Sequence, residues 1–143
     1  MNLRSNMSRR TMKDPGPFLS ILRLGMQIQQ INQKMEHEIG VSLTQWSLLR
    51  CMVDNPTISA LDLAQELGVQ PSTLTQILKR LERKKYIFVT KDPLDARRKL
   101  LSLTRAGNST LLEANRTIAA LEKHVKFSNT AVREISRGLT HLL

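Results

Sequence analysis

The sequence predicts a mainly α-helical fold with one small β-hairpin, and three observations support it. Apolar residues recur at helical spacing through most of the chain, aromatic residues make up only 3%, and two β-prone segments flank a turn-rich loop. The length of 143 residues corresponds to one domain. Hydrophobic residues make up 41%, an ordinary globular share. The sequence therefore predicts one globular domain.

Residues 1–16 are polar and basic and run into a Pro-Gly-Pro sequence, so we expect a disordered tail. Its cations are Arg4, Arg9, Arg10 and Lys13. No apolar stretch follows them, so the tail does not fit a secretory signal, and no apolar run approaches the ~18 residues needed to cross a membrane. A single cysteine cannot form an internal disulfide. We expect a cytoplasmic protein.

Two helices are predicted before the centre of the chain. Residues 18–39 carry an apolar stripe that includes Leu22, Met26 and Ile28, beside a glutamine-rich face, and Gly40 ends the helix. Ser42 and Gln45 have the spacing of a capping box for a second helix, residues 43–53, with Trp46, Leu49 and Val53 on one face. This helix is expected to be a scaffold for the next two.

A short helix and a turn follow. In residues 59–67 the expected buried positions are Leu61, Leu63, Ala64 and Leu67. Ser59 and Asp62 are spaced as a capping box, in which the hydroxyl accepts an amide and the carboxylate reaches back to the backbone. Gly68 is the predicted left-handed stop, and Pro71 suits the first position of the following helix.

The helix predicted over residues 71–84 has two different faces. Leu74, Ile77, Leu78 and Leu81 recur at i, i+3, i+4 and i+7 and should point inward. The residues left outside are Ser72, Thr73, Thr75, Gln76, Lys79, Arg80 and Arg83. Short polar groups followed by cations suit a helix in the DNA major groove, where the former meet base edges and the latter phosphate. A solvated helix face is the alternative.

The following segment favours the DNA interpretation. Residues 86–90 and 100–104 are β-prone, and the loop between them, residues 91–99, is turn-rich with a basic tip. Two strands and a cationic loop after such a helix make a winged helix-turn-helix. The net charge is +10, and residues 79–105 hold ten cations against three acids, which places seven of those charges where DNA would bind.

The stretch from GVSLTQWSLL to DPLDARRKLLSLTRAG resembles the multiple-antibiotic-resistance regulator (MarR) family of bacterial transcription factors. The most specific elements are the D-x-R motif, Asp95-Ala96-Arg97, and the L-T-x-x-G ending at Gly107. The resemblance covers residues 18–143. It implies that Arg97 enters the minor groove and that Asp95 helps hold the wing. It also implies that a small aromatic or phenolic ligand shifts the spacing of the two reading heads.

Two terminal helices are predicted over residues 108–126 and 129–143. They contain more apolar positions than a lone surface helix needs, namely Leu111, Leu112, Ala114, Ile118, Ala119, Leu121, Val125, Val132, Ile135, Leu139, Leu142 and Leu143. Such a surface is best buried against a second copy. We divide the chain into the tail, a winged-helix part (residues 42–105) and dimerisation helices (residues 17–40 and 106–143). A two-fold dimer predicts a pseudo-palindromic operator.

The predicted function is therefore a homodimeric DNA-binding transcriptional regulator, most simply a repressor. Arg98 is assigned with Lys99 to phosphate. A non-specific nucleic-acid packaging protein, and a regulator controlled by a protein partner, stay open as alternatives. No cofactor, metal site or enzyme activity is predicted, because phosphate-loop, nucleophile and metal-ligand patterns are missing. Cys51 is interpreted as an inert thiol rather than an oxidant sensor.

Overall fold

The computed structural model describes residues 16–124 and 129–141. The expected tail up to residue 15, together with Val125, Leu142 and Leu143, lies outside the described residues. The described elements are the helices α1 (Gly16–Glu38), α2 (Leu43–Asp54), α3 (Ala60–Leu67) and α4 (Pro71–Arg83), the strands β1 (Ile87–Lys91) and β2 (Lys99–Leu103), and the helices α5 (Arg105–His124) and α6 (Asn129–Thr140). The prediction of a mainly helical chain with one hairpin is confirmed.

The junction of α1 and α2 forms as the sequence predicts. Gly40 has a positive φ of 82°, a conformation that favours glycine because a side chain would be strained there. Both halves of the capping box are present: the Gln45 amide donates to Ser42 Oγ at 3.0 Å, and the Ser42 amide donates to Gln45 Oε1 at 3.2 Å. The Leu43 amide also donates to Asn32 Oδ1 at 2.7 Å, which fixes the angle between the two helices.

The hydrophobic core lies between α2, α3, α4, the hairpin and the first half of α5. Its fully buried side chains include Met35, Val41, Leu48, Leu49, Met52, Leu63, Leu74, Leu81 and Leu101. The inward face predicted for α4 is confirmed, since Leu74, Leu78 and Leu81 are buried and Ile77 packs against them. This core holds α4 by its apolar face, so that its other face is outward.

The hairpin has a second neighbour that the sequence did not reveal. β1 and β2 pair antiparallel with Val89 opposite Leu101, and both strands are displaced by one residue from the predicted segments. On the other edge of β2, the Leu101 amide donates to the Ile58 carbonyl at 3.1 Å, and Ser59 forms a bridge with Leu100. The hairpin is therefore attached to the residues that begin α3.

Four local predictions in α1, α2 and α3 need correction. Leu61 was predicted to be inward but is 62% exposed, and Val53 on α2 is also exposed because it lies at the end of that helix. Asp62 does not complete a capping box. Its carboxylate accepts from the Ser59 hydroxyl at 2.5 Å, whereas the Asp62 amide does donate to Ser59 Oγ at 3.1 Å, as expected. At the other end, α1 begins at Gly16, two residues before the predicted start and inside the segment assigned to the tail.

α5 begins three residues earlier than predicted. Thr104 is positioned as its cap: Thr104 Oγ1 accepts from the Gly107 amide at 2.9 Å and donates to the Lys85 carbonyl at 2.7 Å. Gly107 therefore lies in the first turn of the helix rather than before it. Among the described residues, no helix combines the length and apolar character needed to cross a membrane.

Candidate nucleic-acid interface

The outer face of α4 presents every side chain that the sequence assigned to it. Ser72, Thr73, Thr75, Gln76, Lys79, Arg80 and Arg83 are all exposed. With about 3.6 residues per turn, the positions i, i+4, i+7 and i+11 form one line along a helix. Ser72, Gln76, Lys79 and Arg83 occupy that line, directly opposite the buried leucines. The line runs from neutral polar groups at the start of α4 to cations at its end.

The remaining residues lie on the two flanks of this line. Thr75 lines a groove toward the hairpin, and its hydroxyl donates to the Pro71 carbonyl at 2.9 Å. On the other flank, Arg80 lines a second groove beside Gly40 and Gln45. Arg83 lines the same groove, and its Nε donates to the Lys79 carbonyl at 3.4 Å. Of the α4 side chains, Thr75 thus lines the groove on the hairpin side, whereas Arg80 and Arg83 line the groove on the side of α1 and α2.

The loop between β1 and β2, residues 92–98, which we call the wing, is held by its own aspartates. Asp95 Oδ1 accepts from the Arg97 amide at 2.9 Å, and the Asp95 carbonyl accepts from the Arg98 amide at 2.9 Å. Asp92 Oδ1 accepts from the Leu94 amide at 2.8 Å. Short side chains that bond their own backbone two residues on are typical of such turns. The wing is therefore a defined structure.

Two adjacent arginines of the wing have different surroundings. Within residues 16–124 and 129–141, no hydrogen bond or ion pair involves the Arg97 guanidinium, and this side chain is exposed. The Arg98 guanidinium lies 3.3 Å from Asp62 Oδ2 on α3 and 4.0 Å from Asp92 Oδ2. The sequence assigned both arginines to DNA. Of these two, Arg97 is the one whose guanidinium contacts no carboxylate among the described residues.

A groove of about 700 Å³ separates the wing from α4. Its walls are formed by α3, by the first half of α4 and by the wing. Among its lining residues are Leu61, Pro71, Thr75, Leu78 and Arg97. Leu61, whose exposure was not predicted, therefore lies beside the predicted DNA-binding groups.

Apart from Arg98, the cations of this surface form no ion pairs within the described part of the chain. No ion pair involves Lys79, Arg80 or Arg83 on α4, nor Lys91 or Lys99, which lie opposite each other in the hairpin. Like charges directly opposite one another in an antiparallel pair are unfavourable. A polyanion would relieve that repulsion and compensate the whole surface.

Comparisons with known proteins agree with this geometry. The model of the MarR family matches residues 41–99, which extend from the start of α2 through the wing. The homoprotocatechuate degradative operon repressor of Escherichia coli is 31% identical over 99 residues, which are 69% of this chain and 66% of the relative. The chain belongs to the MarR family of winged helix-turn-helix transcription factors.

Solved structures of MarR-like proteins share the fold of this MarR-family chain. A Staphylococcus aureus MepR–DNA complex superposes with a TM-score of 0.69 at 24% identity, covering 87% of this chain and 93% of MepR. The PcaV regulator of Streptomyces coelicolor, in complex with its natural ligand, gives a TM-score of 0.64 at 21% identity and covers 82% of this chain and 89% of PcaV. These likenesses confirm the winged-helix fold predicted from the sequence.

Sequence reasoning missed two residues that contact the candidate interface. Asp62 was interpreted only as a helix cap and Asp92 only as a turn residue, yet both contact Arg98. The D-P-L-D spacing identifies Asp92 as a turn former. Nothing in the local sequence indicates that Asp62 meets a residue 36 positions away. Among the described residues, no cluster of three His, Cys, Asp or Glu could hold a metal ion.

Cys51 lies on α2, outside the interface, and is half-buried. Burial raises the pKa of its thiol, and the carboxylates of Glu66 and Asp54 raise it further, while Arg50 acts in the opposite direction. A raised pKa keeps the thiol protonated at neutral pH, and the thiolate is the reactive form. The surroundings therefore favour the inert thiol.

Proposed function

We propose that this chain is a sequence-specific, DNA-binding transcriptional regulator that acts as a homodimer and represses the genes it controls. The observation that carries the proposal is the uncompensated basic surface formed by the outer face of α4 and the wing tip. Membership of the MarR family and the likeness to a DNA-bound fold support it. We propose a binding role and no enzymatic one.

The side chains of α4 would divide the work of recognition. Ser72, Thr73, Thr75 and Gln76 lie in the first half of the helix and would contact base edges in the major groove. Because the Thr75 hydroxyl donates a hydrogen bond to the Pro71 carbonyl, the Thr75 side chain presents an acceptor oxygen and a methyl group to DNA. Thr75 would thus select a base with an amino group or the methyl of thymine. Lys79, Arg80 and Arg83 would contact phosphate and set the register.

The wing would add a second contact. Arg97 would enter the minor groove, and its freedom from carboxylate partners leaves the guanidinium available for this. Asp95 would serve the interface by shaping the loop, since its carboxylate already accepts the Arg97 amide. A phosphate contact was also expected for Arg98, but its ion pairs with Asp62 and Asp92 compete with one.

The apolar surface of the terminal helices supports a dimer. On α1, Phe18, Leu22 and Met26 are exposed in the single chain, and on α6 Val132, Ile135 and Leu139 are exposed at i, i+3 and i+7. Contiguous exposed apolar stripes mark interaction surfaces. A two-fold dimer would place two α4 helices roughly 34 Å apart on one face of DNA, which requires a pseudo-palindromic operator.

Release from DNA by a small aromatic ligand completes the proposal. PcaV, which shares this fold, has been solved in complex with its natural ligand, and the E. coli relative is named for an operon that degrades homoprotocatechuate. A ligand can act here only through a difference in affinity for the DNA-competent and released conformations. Control by a protein partner would instead leave the isolated chain without a thermal shift in a screen of phenolic compounds.

The test is DNA binding by fluorescence anisotropy across a salt series. The DNA upstream of the protein's own gene is compared with a scrambled duplex of the same composition. A preference of at least ~10³-fold for the upstream DNA supports a specific regulator. Equal affinities with a steep salt dependence would favour the packaging protein, because phosphate contacts alone would account for the binding. Gln76→Ala should reduce the preference, whereas Lys79→Ala should weaken binding to both duplexes.

A further inference from the structure

Arg98 makes contacts both within the wing and with α3. Its carbonyl accepts from the Asp92 amide at 3.0 Å, which closes the wing at its base. Its guanidinium lies 4.0 Å from the Asp92 carboxylate in the wing and 3.3 Å from the Asp62 carboxylate on α3. Within the described residues, no other side-chain hydrogen bond or ion pair joins the wing to a helix.

The Asp62 carboxylate is itself held in place. The Ser59 hydroxyl donates to Asp62 Oδ2, the same oxygen that faces Arg98, and the Ser59 side chain is buried. Ser59 also bridges to Leu100 on β2, so its position is fixed by both α3 and the hairpin. A guanidinium has a planar, rigid fork and loses little freedom on meeting such a fixed acceptor. The Asp62 carboxylate on α3 is therefore held in place by Ser59, independently of its contact with Arg98.

α3 in turn packs on α4, and Leu63 and Leu74 belong to the same buried core. A contact between the wing and α3 therefore sets the distance from the wing tip to the outer face of α4. Arg97 is the residue beside Arg98, so its position depends on the same contact. The groove that Arg97 and Thr75 both line would change its width if the contact were lost.

We infer that Arg98 is a positioning residue, which acts with Asp62 and Asp92 to hold the wing at the spacing from α4 that DNA requires. This inference rests on the proposed DNA-binding function and replaces the phosphate contact that the sequence suggested for Arg98. The two adjacent arginines then have different roles. Arg97 contacts DNA, and Arg98 fixes the position of Arg97.

Asp62→Asn decides between the two roles because they predict opposite signs. If Arg98 contacts phosphate, Asp62 competes with DNA for it, and removing this negative charge strengthens binding. If Arg98 positions the wing, the same substitution weakens specific binding, by roughly 5- to 20-fold as for other coupled charged contacts. Asparagine keeps the oxygen that accepts from Ser59. Glu66→Gln is the matched control, with the same loss of charge on α3 and no ion pair among the described residues.

Arg98→Gln gives the second measurement, the salt dependence of binding. Loss of a phosphate contact lowers the slope of log K against log salt by about 0.9, whereas loss of a positioning residue leaves the slope unchanged while the affinity falls. The double variant with Asp62→Asn should bind no more weakly than the worse single variant, because both remove one contact. Tighter binding by Asp62→Asn, or a reduced slope for Arg98→Gln, would overturn the inference.

Hydrogen exchange of the free protein keeps this test independent of DNA. Backbone amides of the wing, including those of Asp92 and Arg98, should exchange faster in Asp62→Asn than in the wild type or in Glu66→Gln, with the midpoint of global unfolding unchanged. Unchanged exchange would overturn the inference even if DNA binding were altered. If the wild-type protein bound no DNA specifically, the proposed function would fail, while faster wing exchange would still support the contact.

Discussion

Gly107 lies so close to the carbonyl oxygen of Tyr86 that no side chain fits between them. A Cβ built on Gly107 would overlap that oxygen and would also lie 3.0 Å from the Tyr86 carbonyl carbon and 3.3 Å from Leu103 Cδ2. The same carbonyl accepts from the Thr104 amide at 3.0 Å, and Thr104 caps the helix that contains Gly107. The first turn of α5 therefore packs directly against the backbone of Tyr86, the residue before β1.

Gly107→Ala should therefore destabilise the fold. The new methyl group must displace the backbone at Tyr86, and overpacking of this kind typically costs about 1–3 kcal/mol. The measurement is the free energy of unfolding from urea denaturation. Gly138→Ala is the control: it lies in α6 with no atom near the position of a Cβ, so alanine should stabilise by about 0.5–1 kcal/mol. Equal, favourable effects at both positions would show that α5 does not approach Tyr86 closely.

The same contact shows where sequence reasoning ends. The L-T-x-x-G motif was recognised, and the helix was predicted to begin only after Gly107, at residue 108. Its actual position depends on a backbone approach between two segments, which no local pattern encodes. The faces of α4 were predictable, by contrast, because the 3.6-residue period alone separates Leu74, Leu78 and Leu81 from the exposed residues.

The exposed positions of the candidate interface were predictable in the same way. The outward residues of α4 and the exposed Arg97 follow from periodicity and from the turn residues around them. The partner of Arg98 did not follow, because Asp62 is distant in sequence and its spacing from Ser59 suggested a cap. Leu61 was also placed wrongly, since it lies on α3 where the wing passes rather than where the core packs.

Arg97→Ala should weaken operator binding without affecting the fold. A side chain that contacts DNA specifically contributes about 1–3 kcal/mol, and an exposed residue without partners contributes little to stability. Fluorescence anisotropy with operator DNA measures the loss of affinity, and thermal unfolding measures the change in stability. Arg116→Ala, an exposed cation on α5 outside the interface, should leave the affinity nearly unchanged. A parallel loss of stability and affinity in Arg97→Ala would refute the contact.

Asn115→Ala should loosen the attachment of α5 to α2. The indole Nε1 of Trp46 donates to Asn115 Oδ1 at 2.8 Å, and a half-buried donor left without a partner costs about 1–3 kcal/mol. Because Trp46 is the only tryptophan, its fluorescence during urea denaturation reports on this junction directly. Asn115→Asp keeps an acceptor oxygen and should lose less stability than Asn115→Ala. If the two variants were equally destabilised, the hydrogen bond would not be the cause.

Cys51 should react slowly with alkylating reagents. Burial and the carboxylates of Glu66 and Asp54 raise the pKa of its thiol, so the fraction of thiolate at neutral pH is smaller than in the unfolded chain. Labelling by iodoacetamide should be slower in the native protein than in urea at the same pH, and mild peroxide should leave DNA binding unchanged. Faster labelling of the native protein, with peroxide sensitivity that Cys51→Ala removes, would make it a sensor.

Ile135→Glu should separate the proposed dimer. Ile135 lies at the centre of the exposed apolar stripe of α6, between Val132 and Leu139, and a charge there would be buried without a partner in the interface. Analytical ultracentrifugation should show a monomer, and operator affinity should fall because a monomer holds only one half-site.

Thr130→Glu is the control for this substitution, because Thr130 is exposed on the opposite side of α6. The substitution introduces the same charge near the start of the helix, where a negative charge is favourable. It should remain dimeric with normal affinity. Circular dichroism should show both variants equally helical, because the core around α2 and α4 contains no residue of α6 among the described ones. A dimer that survived Ile135→Glu would assign the stripe of α6 to another partner. The two protomers would then have to be held together through α1.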